Sequence, residues 1–498
     1  MAMAMAMAAL ATPPSNPNYD VQFSDATIHG IFKKSVPDVK PEHVSIEHLP
    51  SGKSFNNRIY FINLSEPAAL TRPEFKINGV EPTGGAQTGW ATSFVLKVSG
   101  LPFGPSKTQN EVACLLLLEK YCPTVPAPKV VAWSDDGNKI KTPSDPRGTR
   151  TRSPSWVLRL KKATGSGLRG QNRDRDVEAE NNEQLDTKGR GWILMTRVPG
   201  RIISREDIMG PTGDAIMIKM AEHVAAWRKQ MPPARAIGNL RLVRRFVSVP
   251  PPSATMYDRG ILPGLDIYVE GLIASESSTT ALNTTQRYFA HKLKSELRRL
   301  RDNKIYNQNK DFVTKLVSRF IKDTLPKLPI FSRETGEMIF THYDLSPRNV
   351  LVSDTPVGAA VSAVIDLEFG GFFPATEEFA NVIENDNQEW PAHQYEVFLA
   401  TLDRHNALPQ SLARAFSGPP SAYLPVVHPD FGGVEFQQTV LLARIAGNIA
   451  PWWVKEESGL DQEELHRELT SAKARVEDAV MKLEQIVLAG KQAKPIAF

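Results

Sequence analysis

Cysteine is nearly absent from this chain of 498 residues, which has only Cys114 and Cys122. Two cysteines without a second pair argue against a disulfide framework and against a zinc site, and they favour a reducing compartment, which we expect to be the cytoplasm. Long apolar runs are absent too. No stretch reaches the roughly 18 apolar residues that a transmembrane helix needs, so no membrane-spanning segment is expected.

Dense blocks of lysine and arginine are also missing, and the formal net charge is only +4. We therefore expect no nucleic-acid partner and no polybasic membrane anchor. Nothing in the composition implies a protein partner. Apolar residues make up 41% and charged residues 23% of the chain, which is typical of a globular enzyme. Its length favours two or three lobes over one compact core.

Composition divides the chain into three regions. Residues 1–40 are rich in Pro, Ser and Asn and open with MAMAMAMAAL, which predicts a disordered N-terminal tail; the alternative is a targeting segment, which the lack of a basic region disfavours. Residues 41–197 are predicted to form an N-terminal lobe, in which the polar stretch 134–190 is interpreted as a disordered insertion or an artefact of the gene model. Residues 198–490 are predicted to form a larger C-terminal lobe, after a break at Val198-Pro199-Gly200.

Apolar periodicity differs between the two predicted lobes. Runs rich in β-branched and aromatic residues predict strands at 58–62, 93–98, 129–133 and 191–195, with a short helix at 110–120. Spacings of three and four predict helices at 221–231, 287–300, 312–325 and 461–488, around a strand-rich interlude at 338–369. Gly490 is predicted to end the last helix, which we expect to pack on the chain's own helices, with a coiled-coil partner as the alternative. The fold class is therefore α+β.

The strongest chemical signal is the run His342-Tyr343-Asp344-Leu345-Ser346-Pro347-Arg348-Asn349. Phosphoryl transfer needs a carboxylate beside the attacking hydroxyl and an amide oxygen that reaches a metal on the nucleotide phosphates. A turn between two short strands presents both groups together when they lie five residues apart. We interpret His342 as a structural hydrogen-bonding residue. The alternative is a chance match, in which these residues only cap a turn.

A second acidic element follows in Val364-Ile365-Asp366-Leu367-Glu368. Asp366 ends an apolar strand, so its carboxylate is expected to project into a cleft. Together with the amide of Asn349 it offers the oxygen ligands that Mg²⁺ prefers. Glu368 is a third acidic group, for the metal or for the substrate.

These two elements resemble those of the aminoglycoside phosphotransferase/choline kinase family, which is related to the protein kinases. The resemblance covers roughly residues 45–400 without the insertion. It implies a protein kinase-like two-lobed fold, with a small antiparallel sheet in the N-lobe and a mainly helical C-lobe. It also implies ATP and Mg²⁺ as cofactors, Asp344 as the catalytic base, and Asn349 and Asp366 as metal ligands.

The chain departs from the family pattern at several positions. Tyr343 stands where the family usually has glycine, which would narrow the approach of the substrate. Leu367 replaces a common aromatic residue. Ser346 stands where protein serine kinases have lysine, whereas Arg348 resembles the arginine of tyrosine kinases and is a second candidate catalytic residue. No Ala-Pro-Glu segment follows, so a protein substrate is disfavoured.

The resemblance extends to residues that would hold the nucleotide. Lys97 resembles the strand lysine that contacts the α/β-phosphates, and Glu111 resembles its ion-pair partner. The alternative is a purely structural ion pair in a half-buried strand. The segment 51–57 lies where a phosphate loop is expected, and Met195-Thr196-Arg197-Val198 resembles the adenine-contacting linker. The remaining candidate nucleotide residues are therefore Ser54, Met195, Thr196 and Val198.

The substrate is the least constrained part of the prediction. Residues 371–403 contain seven acidic residues and no Lys or Arg, interleaved with aromatic residues. Such a surface would attract an amine-bearing acceptor through charge and cation–π contacts, whereas an ordinary solvated acidic helix explains the pattern equally well. The candidate substrate-binding residues are Glu368, Glu384, Asp386 and Trp390.

The resulting function hypothesis is an ATP-dependent phosphotransferase that acts on a hydroxyl of a small molecule. A catalytically silent nucleotide-binding protein is the alternative, and a protein kinase is the weaker one. Retention of the five residues Lys97, Glu111, Asp344, Asn349 and Asp366 favours an active enzyme.

Overall fold

The computed structural model describes fifteen stretches of the chain. They are residues 17–18, 20–36, 39–50, 54, 56–71, 88–100, 104–146, 149–150, 187, 189–245, 255–273, 282–333, 338–384, 389–454 and 460–492. The chain divides into two compact units. Unit 1 comprises residues 1–112, 129–197 and 262–265, and unit 2 comprises residues 113–128, 198–261 and 266–498.

Unit 1 is built on a five-stranded sheet whose paired strands are antiparallel, in the order β1-β2-β3-β7-β4. The elements of the unit are α1 (Asp25–Ser35), β1 (Val44–His48), β2 (Asn57–Thr71), β3 (Thr88–Ser99), the part of α2 (Gly104–Tyr121) up to Val112, β4 (Val130–Ser134), β5 (Lys139–Ile140), β6 (Thr149–Arg150) and β7 (Trp192–Thr196). Each strand predicted in this part of the chain lies within one of these strands or overlaps it.

The two faces of β3 have different roles. Phe94, Leu96 and Val98 are fully buried in a core that α1 shares, and the ring of Phe32 packs edge-on against Phe94 at 5.1 Å between centroids. Because side chains alternate along a strand, Lys97 lies on the opposite face of the sheet. The strand thus uses one face for packing and presents one lysine on the other.

Helix α1 falls inside the predicted disordered tail, so the structure differs from that prediction. The hydroxyl of Ser24 caps the helix by accepting the N–H of Thr27 at 3.2 Å, and Ile28, Ile31 and Phe32 are buried. The apolar spacing of these residues outweighs the polar composition around them. Residues 1–16 of the predicted tail lie outside the described residues.

The predicted insertion 134–190 is described only at its two ends. Residues 134–146 and 149–150 include the short pair β5 and β6, whose register places Lys139 opposite Arg150. Asp135 and Lys141 form an ion pair there. Residues 147–148, 151–186 and 188 lie outside the described residues.

Unit 2 is mainly helical. Its helices are α3 (Arg205–Met209), α4 (Gly213–Gln230), α5 (Thr285–Asp302), α6 (Lys310–Asp323), α7 (Glu377–Glu384), α8 (Ala392–Arg404), α9 (Gln410–Ala413), α10 (Gly433–Ile449) and α11 (Gln462–Gln492). A sheet ordered β14-β13-β8 contains β8 (Arg201–Ile202), β13 (Val350–Thr355) and β14 (Gly358–Val364). A five-stranded sheet ordered β10-β11-β9-β15-β12 contains β9 (Gly238–Arg244), β10 (Thr255–Leu262), β11 (Leu265–Val269), β12 (Ile339–Thr341) and β15 (Gly371–Phe373).

Strands β9, β10 and β11 are missing from the sequence prediction, which assigns helical character to this region. The run Ile261-Leu262-Pro263-Gly264-Leu265 joins β10 to β11 by a tight turn, and Gly264 has a φ of +75°. A Pro-Gly pair between apolar runs is a hairpin signal. The region could therefore have been recognised as strands.

The end of the chain's last helix also differs from expectation. Helix α11 continues past Gly490 to Gln492. Its buried residues recur at helical spacing and contact α10 and α6, so the predicted packing on the chain's own helices is confirmed. The sheet of unit 1 and the helices of unit 2 confirm the predicted α+β class. Among the described helices, none has the length and apolarity required to cross a membrane.

Gly200, which precedes β8, is required by close packing. Its φ is +131°, and a Cβ at this position would lie 2.7 Å from the carbonyl oxygen of Val352 on β13 and 2.5 Å from the hydroxyl of Ser362 on β14. No side chain fits there without a shift of the sheet. The predicted break at Val198-Pro199-Gly200 thus includes a glycine that lets the chain enter the β14-β13-β8 sheet.

Candidate active site

His342 holds the turn between β12 and β13 against the residue that follows β14. This side chain is fully buried, and its Nε2 lies 2.9 Å from the carbonyl oxygen of Ile365. Since a carbonyl only accepts, Nε2 carries the proton, and Nδ1 can accept the N–H of Asp344 at 3.4 Å. The imidazole therefore joins the turn to the end of β14, which agrees with a structural role.

The carboxylate of Asp344 is held at both oxygens. Arg348 donates from Nη2 to Oδ1 at 2.6 Å, and Asn349 donates from Nδ2 to Oδ2 at 3.1 Å. Burial raises the pKa of Asp344 to about 6; Asp366 and Glu389 add to the rise, and Arg348 and Asn349 oppose it. The side chain is still 31% exposed, so an incoming group can reach it.

Arg348 bridges two carboxylates. While Nη2 binds Asp344, its Nη1 donates to Oε1 of Glu389 at 2.5 Å. The arginine side chain is 56% exposed and that of Glu389 is 40% exposed. A positive charge thus lies at the rim of the turn, with one carboxylate on each side.

Asp366 follows the hairpin of β13 and β14. The hairpin begins beside Asn349, whose carbonyl oxygen accepts the N–H of Ile365 at 2.9 Å. Asp366 has a φ of +66°, in the left-handed region that non-glycine residues rarely adopt. Such strain occurs where the surrounding structure over-determines a side chain. The structure therefore brings Asp344, Asn349 and Asp366 together in unit 2.

The donors around Asp366 suit a hard cation. The amide nitrogen of Asn349 is used by Asp344, at 2.7 Å to its backbone oxygen and 3.1 Å to Oδ2, which turns the amide oxygen away from these contacts. Carboxylate oxygens of Asp366 and Glu368 lie within 4.8 Å of each other. Two carboxylates and an amide oxygen fit the oxygen-only coordination of Mg²⁺.

Tyr343 adopts a φ of +73°, which explains why glycine is favoured at this position in the family that the sequence resembles. Here the side chain compensates for the strain. The ring packs on Phe373 with 4.6 Å between centroids, and the hydroxyl lies 3.3 Å from that of Tyr288. The ammonium of Lys292 lies 5.7 Å from the ring centroid. The ring is therefore held by its own unit.

A buried acid completes the support of Tyr343. Glu377, at the start of α7, accepts a hydrogen bond from the hydroxyl of Tyr288 at 2.8 Å and is paired with Lys292. Burial lowers the pKa of Lys292, but the Glu377 carboxylate outweighs that effect and raises it above its ordinary value. Lys292 therefore stays charged beneath the turn.

The neighbouring Glu378 holds the backbone of the same turn. Its Oε2 accepts the N–H of His342 at 3.1 Å. Burial raises the pKa of Glu378 to about 7, while Arg228 and the backbone N–H groups of His342 and Tyr343 oppose the rise. Arg228 is itself buried and donates to the carbonyl oxygens of Ala407 and Ala375 at 2.8 and 3.1 Å.

The aromatic residues of the predicted acidic, aromatic surface are interior in the structure, as are Glu377 and Glu378, whereas Glu389 is exposed. Trp390 is 4% exposed, and its indole N–H donates to the carbonyl oxygen of Leu345 at 3.1 Å, so it supports the turn and does not face solvent. Glu368 is 1% exposed. Glu384 lies in α7, and Asp386 lies outside the described residues. The other aromatic residues of 371–403 are core residues on the buried sides of β15, α7 and α8.

Unit 1 brings together the two predicted phosphate-side residues. The ammonium of Lys97 on β3 lies 2.8 Å from Oε1 and 2.7 Å from Oε2 of Glu111 on α2. Their side chains are only 7% and 4% exposed. Each of these two buried groups therefore has an oppositely charged partner in the interior of unit 1.

The other candidate nucleotide residues are placed individually. Ser54 accepts a hydrogen bond at its carbonyl oxygen from Asn18 at 2.6 Å, whereas residues 51–53 and 55 of the predicted loop lie outside the described residues. Met195 is buried in β7. Thr196 bonds Lys129 twice, by its N–H and by its hydroxyl, each at 2.9 Å. Val198 begins a segment of unit 2 and is half-buried.

The sequence prediction missed the supporting residues of the turn. These are Arg228, Tyr288, Lys292, Glu377, Glu378 and Glu389. A signal existed for Arg228, because it lies seven and four residues after the buried Ala221 and Val224, on the apolar side of α4. No comparable signal distinguishes Glu377 and Glu378 from exposed acids at a helix start.

Comparison with known proteins gives one family match. The sequence model of the phosphotransferase enzyme family, APH, matches residues 173–413. This range includes the turn 342–349, Asp366 and Glu368. No curated protein matches the sequence significantly.

Solved structures also resemble the chain. A candidate aminoglycoside phosphotransferase from Ralstonia eutropha JMP134 is 11% identical, with a TM-score of 0.46, over 93% of this chain and 99% of that chain. The ADP-bound aminoglycoside phosphotransferase APH(2'')-Ib is 12% identical, with a TM-score of 0.45, over 92% and 99% of the two chains. The ternary complex of streptomycin, ATP and APH(2'')-IIa is 12% identical, with a TM-score of 0.44, over 91% and 98%.

The similarity to a known family lies in the sequence match. The matched range contains both motifs from which the resemblance was inferred, and that resemblance is confirmed. Over residues 173–413, the sequence is therefore similar to the phosphotransferase enzyme family.

Proposed function

We propose that the protein is an ATP- and Mg²⁺-dependent phosphotransferase that transfers the γ-phosphoryl group of ATP to a hydroxyl of a small molecule. The observation that carries the proposal is the Asp344 carboxylate, held between Arg348 and Asn349 at 2.6 and 3.1 Å within the family-matched range. A carboxylate fixed at both oxygens is pre-oriented to receive an acceptor hydroxyl.

Asp344 acts as the base in this proposal. It accepts a hydrogen bond from the acceptor hydroxyl and takes its proton as the oxygen attacks the γ-phosphorus, while the bond from that phosphorus to the bridging oxygen of ADP breaks. A carboxylate with a pKa of about 6 is mostly ionised at neutral pH and is more basic than an ordinary aspartate. Arg348, beside it, would stabilise negative charge as it develops on the transferred group.

The remaining candidate residues would bind ATP and Mg²⁺. Asn349 and Asp366 would bind Mg²⁺, with Glu368 adjacent, and the ion when bound neutralises phosphate charge. Lys97 would contact the phosphates, with its ammonium oriented by Glu111 at 2.7 Å. The linker residues Thr196 and Val198 would lie at the adenine.

The acceptor class stays broad. A hydroxyl is supported because a carboxylate base suits deprotonation of an alcohol. Three of the described acidic residues in 371–403 lend no support to an amine-bearing acceptor, because Glu377 and Glu378 are buried and Glu389 is paired with Arg348.

An ADP-release assay with a panel of hydroxylated small molecules tests the proposal. Asp344→Ala is expected to lower turnover by about 10²–10⁴-fold, the usual contribution of a general base, while ATP binding measured by calorimetry persists. Asp354→Ala is the matched control, since Asp354 is an exposed aspartate on β13. Equal turnover in wild type and Asp344→Ala would refute the assigned base.

A further inference from the structure

Two consecutive residues outside the motif contact the catalytic turn. Glu389 pairs with Arg348 at 2.5 Å, and Trp390 donates from its indole nitrogen to the carbonyl oxygen of Leu345 at 3.1 Å. The buried indole fixes the backbone of this segment, since Trp390 is 4% exposed. Glu389 is therefore presented to Arg348 from a fixed point.

The geometry at Arg348 is unusual for an arginine beside an aspartate. A guanidinium commonly binds one carboxylate with two parallel N–H groups. Here Nη2 binds Oδ1 of Asp344 and Nη1 binds Oε1 of Glu389, so each carboxylate receives one edge of the fork. The second oxygen of Asp344 is left to Asn349.

We propose that Glu389 is a positioning residue for phosphoryl transfer, which acts by holding one edge of Arg348 so that the guanidinium contacts only one oxygen of Asp344. This inference rests on the proposed function. Without Glu389, Arg348 is free to rotate into a two-point contact with Asp344. It would then compete with Asn349 for Oδ2 and with the acceptor hydroxyl for the carboxylate.

A purely structural ion pair gives a different expectation. Exposed ion pairs contribute only about 0–1 kcal/mol to stability. Loss of the pair should therefore leave the melting temperature nearly unchanged, whatever its role. If Glu389 has a positioning role, its substitution also lowers kcat, whereas a purely structural ion pair leaves kcat unchanged.

The test measures kcat and KM by ADP release for wild type, Glu389→Gln, Arg348→Gln and the double variant. We expect Glu389→Gln to lower kcat about tenfold, since displacement of a reacting group by about 1 Å costs up to a hundredfold, with KM for ATP unchanged. Glu484→Gln is the matched control, because Glu484 pairs with Arg319 at 3.2 Å and the two side chains are 33% and 58% exposed.

The double variant identifies the route. If Glu389 acts only through Arg348, adding Glu389→Gln to Arg348→Gln should change kcat less than about twofold, because the two effects are not additive. A tenfold further loss in that background, or a wild-type kcat in Glu389→Gln, would overturn the proposal.

A second readout separates this inference from failure of the proposed function. Absence of ADP release from the wild type with every acceptor and with water would reject the proposed function. Amide hydrogen exchange of the 342–352 peptide still tests the contact: Glu389→Gln should exchange faster there than Glu484→Gln, with no change elsewhere. Identical exchange in the two variants would reject the positioning role.

Discussion

Glu378 offers the sharpest test of how the turn is supported. It is 7% exposed, accepts the N–H of His342, and has a pKa of about 7 against an ordinary value of 4.5. Between pH 4.5 and about 7, the folded state therefore binds more protons at this carboxyl than the unfolded state does. The folded protein is therefore stabilised below about pH 4.5, and this contribution is lost as the pH rises to about 7.

The magnitude follows from the two pKa values. The interval between 4.5 and about 7 corresponds to about 3 kcal/mol of unfolding free energy. Glu378→Gln removes the ionisation and keeps the size of the side chain. From pH 4.5 to pH 8, the wild type should thus lose about 3 kcal/mol of unfolding free energy relative to Glu378→Gln.

Urea unfolding at a series of pH values measures that difference, with tryptophan fluorescence as the signal. Comparison with the variant cancels the other groups that titrate in this range, such as Asp344 and His223. Parallel stability curves for the two proteins would show that Glu378 ionises normally and would refute the reasoning from its burial.

Two further predictions concern unit 1 and the entry to the β14-β13-β8 sheet. Lys97→Met should lower the unfolding free energy, measured by urea unfolding, by about 3–5 kcal/mol because it leaves Glu111 buried without its cation. The double variant Lys97→Met with Glu111→Leu should recover most of that loss. A double variant as unstable as Lys97→Met alone would contradict the pairing. Gly200→Ala should lower the unfolding free energy of the protein by about 2 kcal/mol or more, because the new Cβ contacts the Val352 carbonyl oxygen. Gly447→Ala, at a helical site with open space, should instead raise the unfolding free energy by about 0.5–1 kcal/mol. A melting temperature of Gly200→Ala equal to that of the wild type would contradict the first expectation.

The sequence predicts the local elements of the site better than their support. The His-x-Asp spacing and the strand before Asp366 are short-range patterns, and strands β3 and β7 carry clear β-branched runs. The α+β class follows from the same patterns. These features depend on residues close in the chain, which periodicity can detect.

The missed features depend on contacts between distant residues. Glu377 reaches Tyr288 and Lys292 across more than 80 positions of the chain, and nothing local separates it from an exposed acid at a helix start. Trp390 looks like a ligand-facing aromatic residue in the sequence, but its burial is decided by tertiary packing. The tail prediction failed at α1 because composition hid the spacing of Ile28, Ile31 and Phe32.

The left-handed backbone at Tyr343 has a consequence for how substitutions combine in this protein. Where the family has glycine, that backbone conformation is accessible without help from a side chain. Here it depends on an aromatic ring held by Phe373 and Tyr288. Substitutions at those two positions are therefore expected to be epistatic with residue 343: harmful while tyrosine is present, and far better tolerated once glycine replaces it.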